Sequence, residues 1–149
     1  MTVATRLSPL ERLEVREACE RLALDYSFHA DRSEWEQFSQ LFAEDGEMHL
    51  FGQVFKGPAA IRGAVGANPA TGLSVHAISN HRIDVLGEDE AKGTVYVTVY
   101  AGERKPGQPA SVEKITPMIV GTYHDLYRRT GDGWKFAQRG FEPLVTTAA

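Results

Sequence analysis

One cysteine, Cys19, stands in 149 residues. A single thiol cannot close an internal disulfide or build a cysteine-based zinc site. That fits a reducing compartment, and a cytoplasmic location is the expectation. No apolar stretch approaches the roughly 20 residues a membrane span needs. Residues 1–7 lack the apolar run of a signal peptide. There is no basic stripe either. Lys and Arg are scattered and the net charge is −4, which argues against nucleic-acid and anionic-membrane partners. No Gly-x-Ser-x-Gly elbow occurs. Gly63-Ala64-Val65-Gly66 has no lysine at P-loop spacing. His29, His49, His81 and His124 are scattered without ligand spacing, so neither a metal nor a cofactor is expected. What is present is ordinary: 42% hydrophobic and 24% charged residues, without repeats, at a length suited to one domain with a single core.

The chain divides into helices followed by strands. Ser8-Pro9-Leu10-Glu11 reads as a capping box with proline at the first helical position. The spacing predicts a helix to about residue 28, with Leu10, Leu13, Ala18, Leu22 and Leu24 inward. Ser33-Glu34-Trp35-Glu36 reads as a second capping box, opening a short helix with Trp35, Phe38, Leu41 and Phe42 inward. A turn at residues 43–46 leads to a small hairpin, residues 47–51 and 54–56, about Gly52-Gln53. Gly57-Pro58 opens a third helix, and residues 66–72 are a loop. Long strands follow at residues 74–86, 91–102, 112–129 and 134–141, with an exposed loop at 104–111. Pro143 is expected to end the last strand. Residues 1–7 and 144–149 are expected to be flexible tails. This order argues for an α+β fold, with helices packed on the concave face of a curved sheet and a ligand pocket between the layers.

Four side chains attract attention as chemistry. His76 shares a strand face with Ile78 and Asn80, whereas His81 lies on the other face under strict alternation. Histidine's unperturbed pKa suits proton transfer near neutrality; a hydrogen-bonded structural histidine is the competing reading. Asp31 follows the long helix. It is either a turn residue or a carboxylate that orients an imidazole and stabilises its protonated form. Tyr26 is either core or a hydrogen-bond donor to an oxygen that gains charge. On one continuous helix Tyr26 and Asp31 would point apart, so a shared pocket requires the helix to end near residues 29–30. Arg139 is a solvent-facing charge, a salt-bridge partner of Glu142 or Asp125, or, inside the cone, an anchor for a carboxylate or leaving group. Tyr100 and Tyr123 are candidate wall residues, though tyrosines also simply pack sheets.

A further pattern connects these residues. Tyr26-x4-Asp31 is followed by Trp35, then Leu41-Phe42-Ala43-Glu44-Asp45-Gly46 and Lys56-Gly57-Pro58. After these come His76-Ala77-Ile78-Ser79-Asn80, Gly121-Thr122-Tyr123 and Gly133-Trp134-Lys135-Phe136. In this order and spacing the chain resembles the SnoaL-like branch of the NTF2-like superfamily, over nearly its full length. The resemblance implies a cone-shaped α+β barrel, often dimeric through its sheet, and hence a homodimer or higher homo-oligomer. Scytalone dehydratase, bile-acid 7α-dehydratase and hexachlorocyclohexane dehydrochlorinase look similar and use an Asp–His pair to remove a proton and expel water or halide. By position the pair falls on Asp31 and His76, with Tyr26 and Arg139 matching a tyrosine and an arginine of the bile-acid enzyme. The second histidine of scytalone dehydratase and the second acid of the bile-acid enzyme have no match on residues 91–102, where Thr94, Tyr96, Thr98 and Tyr100 are the inward candidates. The expectation is a cofactor-independent lyase acting on a small hydrophobic, polyketide- or steroid-like substrate. The alternatives are a ketosteroid-isomerase-like isomerase or polyketide cyclase, and a non-catalytic binding or assembly subunit.

Overall fold

Ser8 opens the first helix with both halves of a capping box. Its hydroxyl accepts the Glu11 N–H at 3.2 Å, and the Glu11 carboxylate accepts the Ser8 N–H at 2.7 Å. These bonds hold the Glu11 carboxyl below its usual range. The structure is a computed structural model that describes residues 6–67, 72–103, 107 and 119–146. In it the helix, α1 (Pro9–Asp31), continues three residues past the expected end. It buries Val15, Cys19, Leu22, Ala23, Tyr26 and Ala30. Leu10, Leu13 and Leu24, expected inward, are exposed. At about 100° per residue they leave the helix on the side opposite the buried set. The sequence pattern had mixed two apolar faces into one.

The short helix α2 (Trp35–Ser39) has no capping box. Glu34 is its cap and makes no side-chain cap bond, because Ser33 is spent in the left-handed turn that ends α1, at φ 56°. Phe42 belongs to the following strand, β1 (Phe42–Leu50), where it is buried. The expected turn at residues 43–46 is an irregularity inside β1, where the register with its neighbour shifts between Phe42 and Glu47. There Gly46 packs so tightly on the Ala43 and Phe136 backbones that a Cβ would lie within 2.9 Å of them. A hairpin at Phe51 and Gly52, both at positive φ, leads to β2 (Gln53–Lys56). Gly57, at φ 81°, then admits α3 (Pro58–Gly66).

The remaining strands are β3 (Gly72–Val85), β4 (Glu90–Glu103), β5 (Ile119–Thr130) and β6 (Gly133–Thr146). The expected loop at 104–111, apart from residue 107, and the expected strand residues 112–118 lie outside the described residues, as do 1–5 and 147–149. One six-stranded sheet forms in the order β2-β1-β6-β5-β4-β3. All neighbours are antiparallel except β1 and β6, which run parallel. Pro143 does not end β6, and residues 144–146 are strand rather than tail. Pairing with β1 stops at Gly140, so beyond it β6 is flanked by β5 alone. A proline without an N–H is tolerated on such a locally free edge, next to the register shift at Val120/Gly121.

Val95, Val97 and Val99 of β4, Tyr123, Asp125 and Tyr127 of β5, and Phe136 and Arg139 of β6 are buried. Packed with the buried side of α1, the apolar and aromatic members of this set form one core, together with Phe38, Phe42, Met48 and Ile61. The architecture is therefore α+β, with N-terminal helices on a mixed sheet in an NTF2-like cone. Among the described residues no helix is long and apolar enough to cross a membrane.

Candidate active site

Asp31 is the last residue of α1, and β3 is the edge strand that α1 packs against. The His76 backbone N–H donates to both carboxylate oxygens of Asp31, at 3.1 Å each. The His76 ring nitrogen Nδ1 lies 2.6 Å from Asp31 Oδ1. An ionised carboxylate can only accept, so Nδ1 carries the hydrogen and the neutral ring keeps its lone pair on Nε2. His76 and Asp31 side chains are 16% and 19% exposed, so the pair is sheltered yet within reach of a small molecule. His76 stands opposite Val99, and therefore on the core-facing side of the sheet.

The alternation expected for residues 74–86 fails at one point. Pairing passes from Ser79–Tyr96 to Arg82–Thr94, leaving Asn80 and His81 opposite one residue, with Asn80 at φ 52°. This bulge turns His81 inward. Its Nε2 lies 3.2 Å from the Tyr127 hydroxyl. That hydroxyl already donates to Asp125 Oδ2 at 2.8 Å, so His81 is the donor to it. Burial holds the His81 pKa below the ordinary histidine range, partly offset by Asp125 and Glu20. His81 is the functional-site neighbour that sequence reasoning missed. An Asn-His pair within a strand was the available signal, because asparagine tolerates the left-handed region.

Arg139 lies at the centre of the core, 1% exposed. Its Nε and Nη2 donate to Asp125 Oδ1 and Oδ2 at 2.8 and 2.7 Å. Of the two partners offered by the sequence, Asp125 holds it; Glu142 instead accepts from His124 at 2.6 Å on the outer face. Cζ of Arg139 lies 4.4, 4.1 and 4.4 Å from the ring centres of Tyr26, Tyr123 and Phe136. Burial works against the guanidinium's charge, but Asp125 outweighs it and keeps Arg139 protonated. Nη1 is buried without a hydrogen-bond partner among the described residues.

Tyr26 belongs to this second cluster. Because α1 does not end at residues 29–30, the condition for sharing a pocket directly with Asp31 is not met. The two side chains leave the helix about 140° apart. The Tyr26 hydroxyl lies 4.0 Å from Met48 Sδ and beside Tyr123. Burial pushes the Tyr26 and Tyr123 hydroxyls up, so both stay protonated. Tyr123 thus sits inside, as a wall residue would. Tyr100 does not: it pairs with the exposed Val75, is 36% exposed, and faces away from the core. The whole set Thr94, Tyr96, Thr98 and Tyr100 points outward, because the apolar pressure of Val95, Val97 and Val99 decides which face of β4 meets α1. No group of three His, Cys, Asp or Glu among the described residues could hold a metal ion.

The structure brings together Asp31 with His76, and separately Tyr26 with Tyr123 and Arg139. The two clusters are joined by α1, whose rise puts Tyr26 and Asp31 about 7.5 Å apart along its axis. Solved structures share this arrangement of elements. An NTF2-like protein with a cystatin-like fold from Novosphingobium aromaticivorans is 28% identical, with 93% of this chain and 88% of that one covered at a TM-score of 0.77. A protein from the same organism, provisionally called a scytalone dehydratase, is 27% identical, with 94% and 91% covered and a TM-score of 0.72. The hexachlorocyclohexane dehydrochlorinase LinA type 2 shares the fold at 22% identity, 95% and 98% coverage and a TM-score of 0.74. No protein of curated function matches. The SnoaL-like domain model matches residues 11–140, and with the cone and its helices in place the chain belongs to the SnoaL-like domain family.

Proposed function

We propose that the chain is a cofactor-independent lyase, of the dehydratase or dehydrohalogenase type, with His76 as its base. The likeness to dehydratase- and lyase-type NTF2-like folds supports the class. One observation carries the residue assignment: Asp31 grips both the backbone N–H and the Nδ1–H of His76, leaving Nε2 as the base. Nε2 takes a proton from a carbon beside a carbonyl, and the C–H electron pair moves into the enolate. The enolate then expels hydroxide or halide from the neighbouring carbon. Asp31 stabilises the imidazolium, which returns its proton to a departing hydroxide or, when halide leaves, to water. Such general-base catalysis contributes about 10²–10⁴-fold.

Tyr26, Tyr123 and Arg139 would meet an oxygen farther along the substrate. Asp125 already cancels the Arg139 charge, and two buried hydroxyls flank it. That environment favours a neutral carbonyl or hydroxyl oxygen over the carboxylate considered from sequence, because a second buried anion would be left without a free counter-charge.

The test uses ring-bearing β-hydroxy ketones with product mass as readout. Loss of water marks a dehydratase, whereas unchanged mass with a shifted double bond marks an isomerase. His76→Ala should lower turnover by at least about 10²-fold with an unchanged circular dichroism spectrum. Undiminished turnover in that variant rejects the mechanism.

A further inference from the structure

Asp31 stands where a helix is least able to hold a side chain still. It is the last residue of α1, in the turn that frays first. Its negative charge also sits at the negative end of the helix dipole. Yet its carboxylate accepts from both the N–H and the Nδ1–H of His76. Something outside the pair must keep that turn in place.

The turn is a Schellman motif. The Glu34 N–H reaches back to the His29 carbonyl at 3.0 Å, and the Ser33 N–H to the Ala30 carbonyl at 3.1 Å. It departs from the usual form twice. The left-handed position is Ser33, at φ 56°, where glycine is the common residue. The first and last residues of the motif ordinarily make a hydrophobic contact. Here they are His29 and Glu34, and His29 Nδ1 lies 2.6 Å from Glu34 Oε2. An ionised carboxylate can only accept, so His29 donates. Glu34 is also the cap residue of α2, but its carboxylate makes no cap bond there. It turns back to α1 instead. The two side chains are 20% and 37% exposed, so the bond is partly sheltered from competing water.

We propose that His29 and Glu34 are positioning residues: their side-chain bond latches the turn, and the latched turn holds the Asp31 carboxylate against His76. The pair brackets Asp31, two residues before it and three after. With the bond made, Ser33 stays in a conformation that residues other than glycine rarely adopt. With the bond broken, Ser33 relaxes to negative φ, the two backbone bonds of the motif lapse, and the end of α1 carries Asp31 away from His76. The inference rests on Asp31 and His76 being the working pair, but its test needs no substrate.

Nitrogen NMR of the imidazole rings and amide hydrogen exchange on the full chain test it. At about pH 8.5 histidine rings are ordinarily neutral, so the tautomer is read directly. Wild-type His76 should carry its hydrogen on Nδ1. Glu34→Ala and His29→Ala should each shift His76 toward the Nε2–H form that an unheld imidazole prefers. Both should also speed exchange of the His76 backbone N–H about tenfold or more, the worth of a hydrogen bond to a charged group. Glu34→Gln keeps an acceptor for His29 and should stay near wild type in both measurements. A latch that only stabilised the fold would lower Tm in the alanine variants and leave the His76 signals where they were. On a substrate that the wild type turns over, the alanine variants should lower kcat and leave KM unchanged. A wild type without lyase activity counts against the lyase reading alone, and the NMR result still decides the latch. His76 signals unchanged in both alanine variants, a Glu34→Gln variant that behaves like Glu34→Ala, or a wild type with its hydrogen on Nε2 each overturns the proposal.

Discussion

Replacing Arg139 by methionine tests how this interior is held together. Methionine keeps most of the side-chain length but removes the cation. Asp125 would then remain with no exposed side-chain surface, keeping only the hydrogen bond from Tyr127. Removing one partner of a buried ion pair costs about 3–5 kcal/mol, because the other charge is left uncompensated. The rings of Tyr26, Tyr123 and Phe136 would also lose the cation they stack on. That contribution overlaps the first and is not added to it. For a domain of this size the loss corresponds to a fall in Tm of roughly 6–20 °C. Urea unfolding followed by circular dichroism and by Trp35 and Trp134 fluorescence reads it directly. The double variant Asp125→Asn with Arg139→Met removes both charges and should recover at least half of the loss. A single variant that costs less than about 1 kcal/mol, or a double variant no better than the single, would refute the view that charge compensation governs this core.

The other consequences concern groups that the proposed chemistry does not use. Cys19 is fully buried, and burial pushes its thiol up to about 12. It should resist aromatic disulfide reagents in the native protein and react only at the rate of unfolding; rapid native labelling would contradict the packing of α1. His81 is held neutral by burial, so its folded pKa lies below its unfolded value. Its contribution is present above about pH 6.5 and is lost as pH falls below that, because the unfolded chain then binds the proton more readily. The slope from this one group cannot exceed about 1.4 kcal/mol per pH unit, and partial solvent contact keeps it lower. His81→Gln should flatten the stability-versus-pH curve below about pH 6.5 relative to wild type; parallel curves would contradict the inward placement of the ring.

The sequence and the structure part company for identifiable reasons. The start of α1 was legible because Ser8, Pro9 and Glu11 act locally, each on a backbone group within three residues. The ends of β3 and β4 were legible within two residues, because β-branched runs between glycines are a local signal too, whereas β6 runs five residues past its expected end through Pro143. The inward face of α1 was not, because it carries two apolar stripes and periodicity cannot say which one a sheet will cover. The faces of β4 failed for the converse reason. Tyr96 and Tyr100 offered chemistry and the valines offered packing, and packing decided. His81 was lost to a single-residue bulge that no alternation rule contains. The Asp31–His76 contact spans 45 residues of chain. Spacing along the chain could not reveal it; the resemblance to a family pointed there, and the geometry then supplied the reason.

That geometry depends on where β3 lies in the sheet. An edge strand has a row of N–H groups with no neighbouring strand to accept them, a liability that folded chains cover. Here the His76 N–H meets a carboxylate at the end of α1 instead of another strand. The two 3.1 Å bonds fix the carboxylate plane, and the fixed plane presents Oδ1 to Nδ1 at 2.6 Å. Backbone and side chain of one residue are thus held by one anion, and the imidazole cannot turn without breaking a bond to Asp31. A histidine on an interior strand would lack the spare N–H. An aspartate one turn earlier on α1 would fall about 5.4 Å short of β3 along the helix axis. The imidazole is oriented because the longest helix ends against a sheet edge that still has a donor to give.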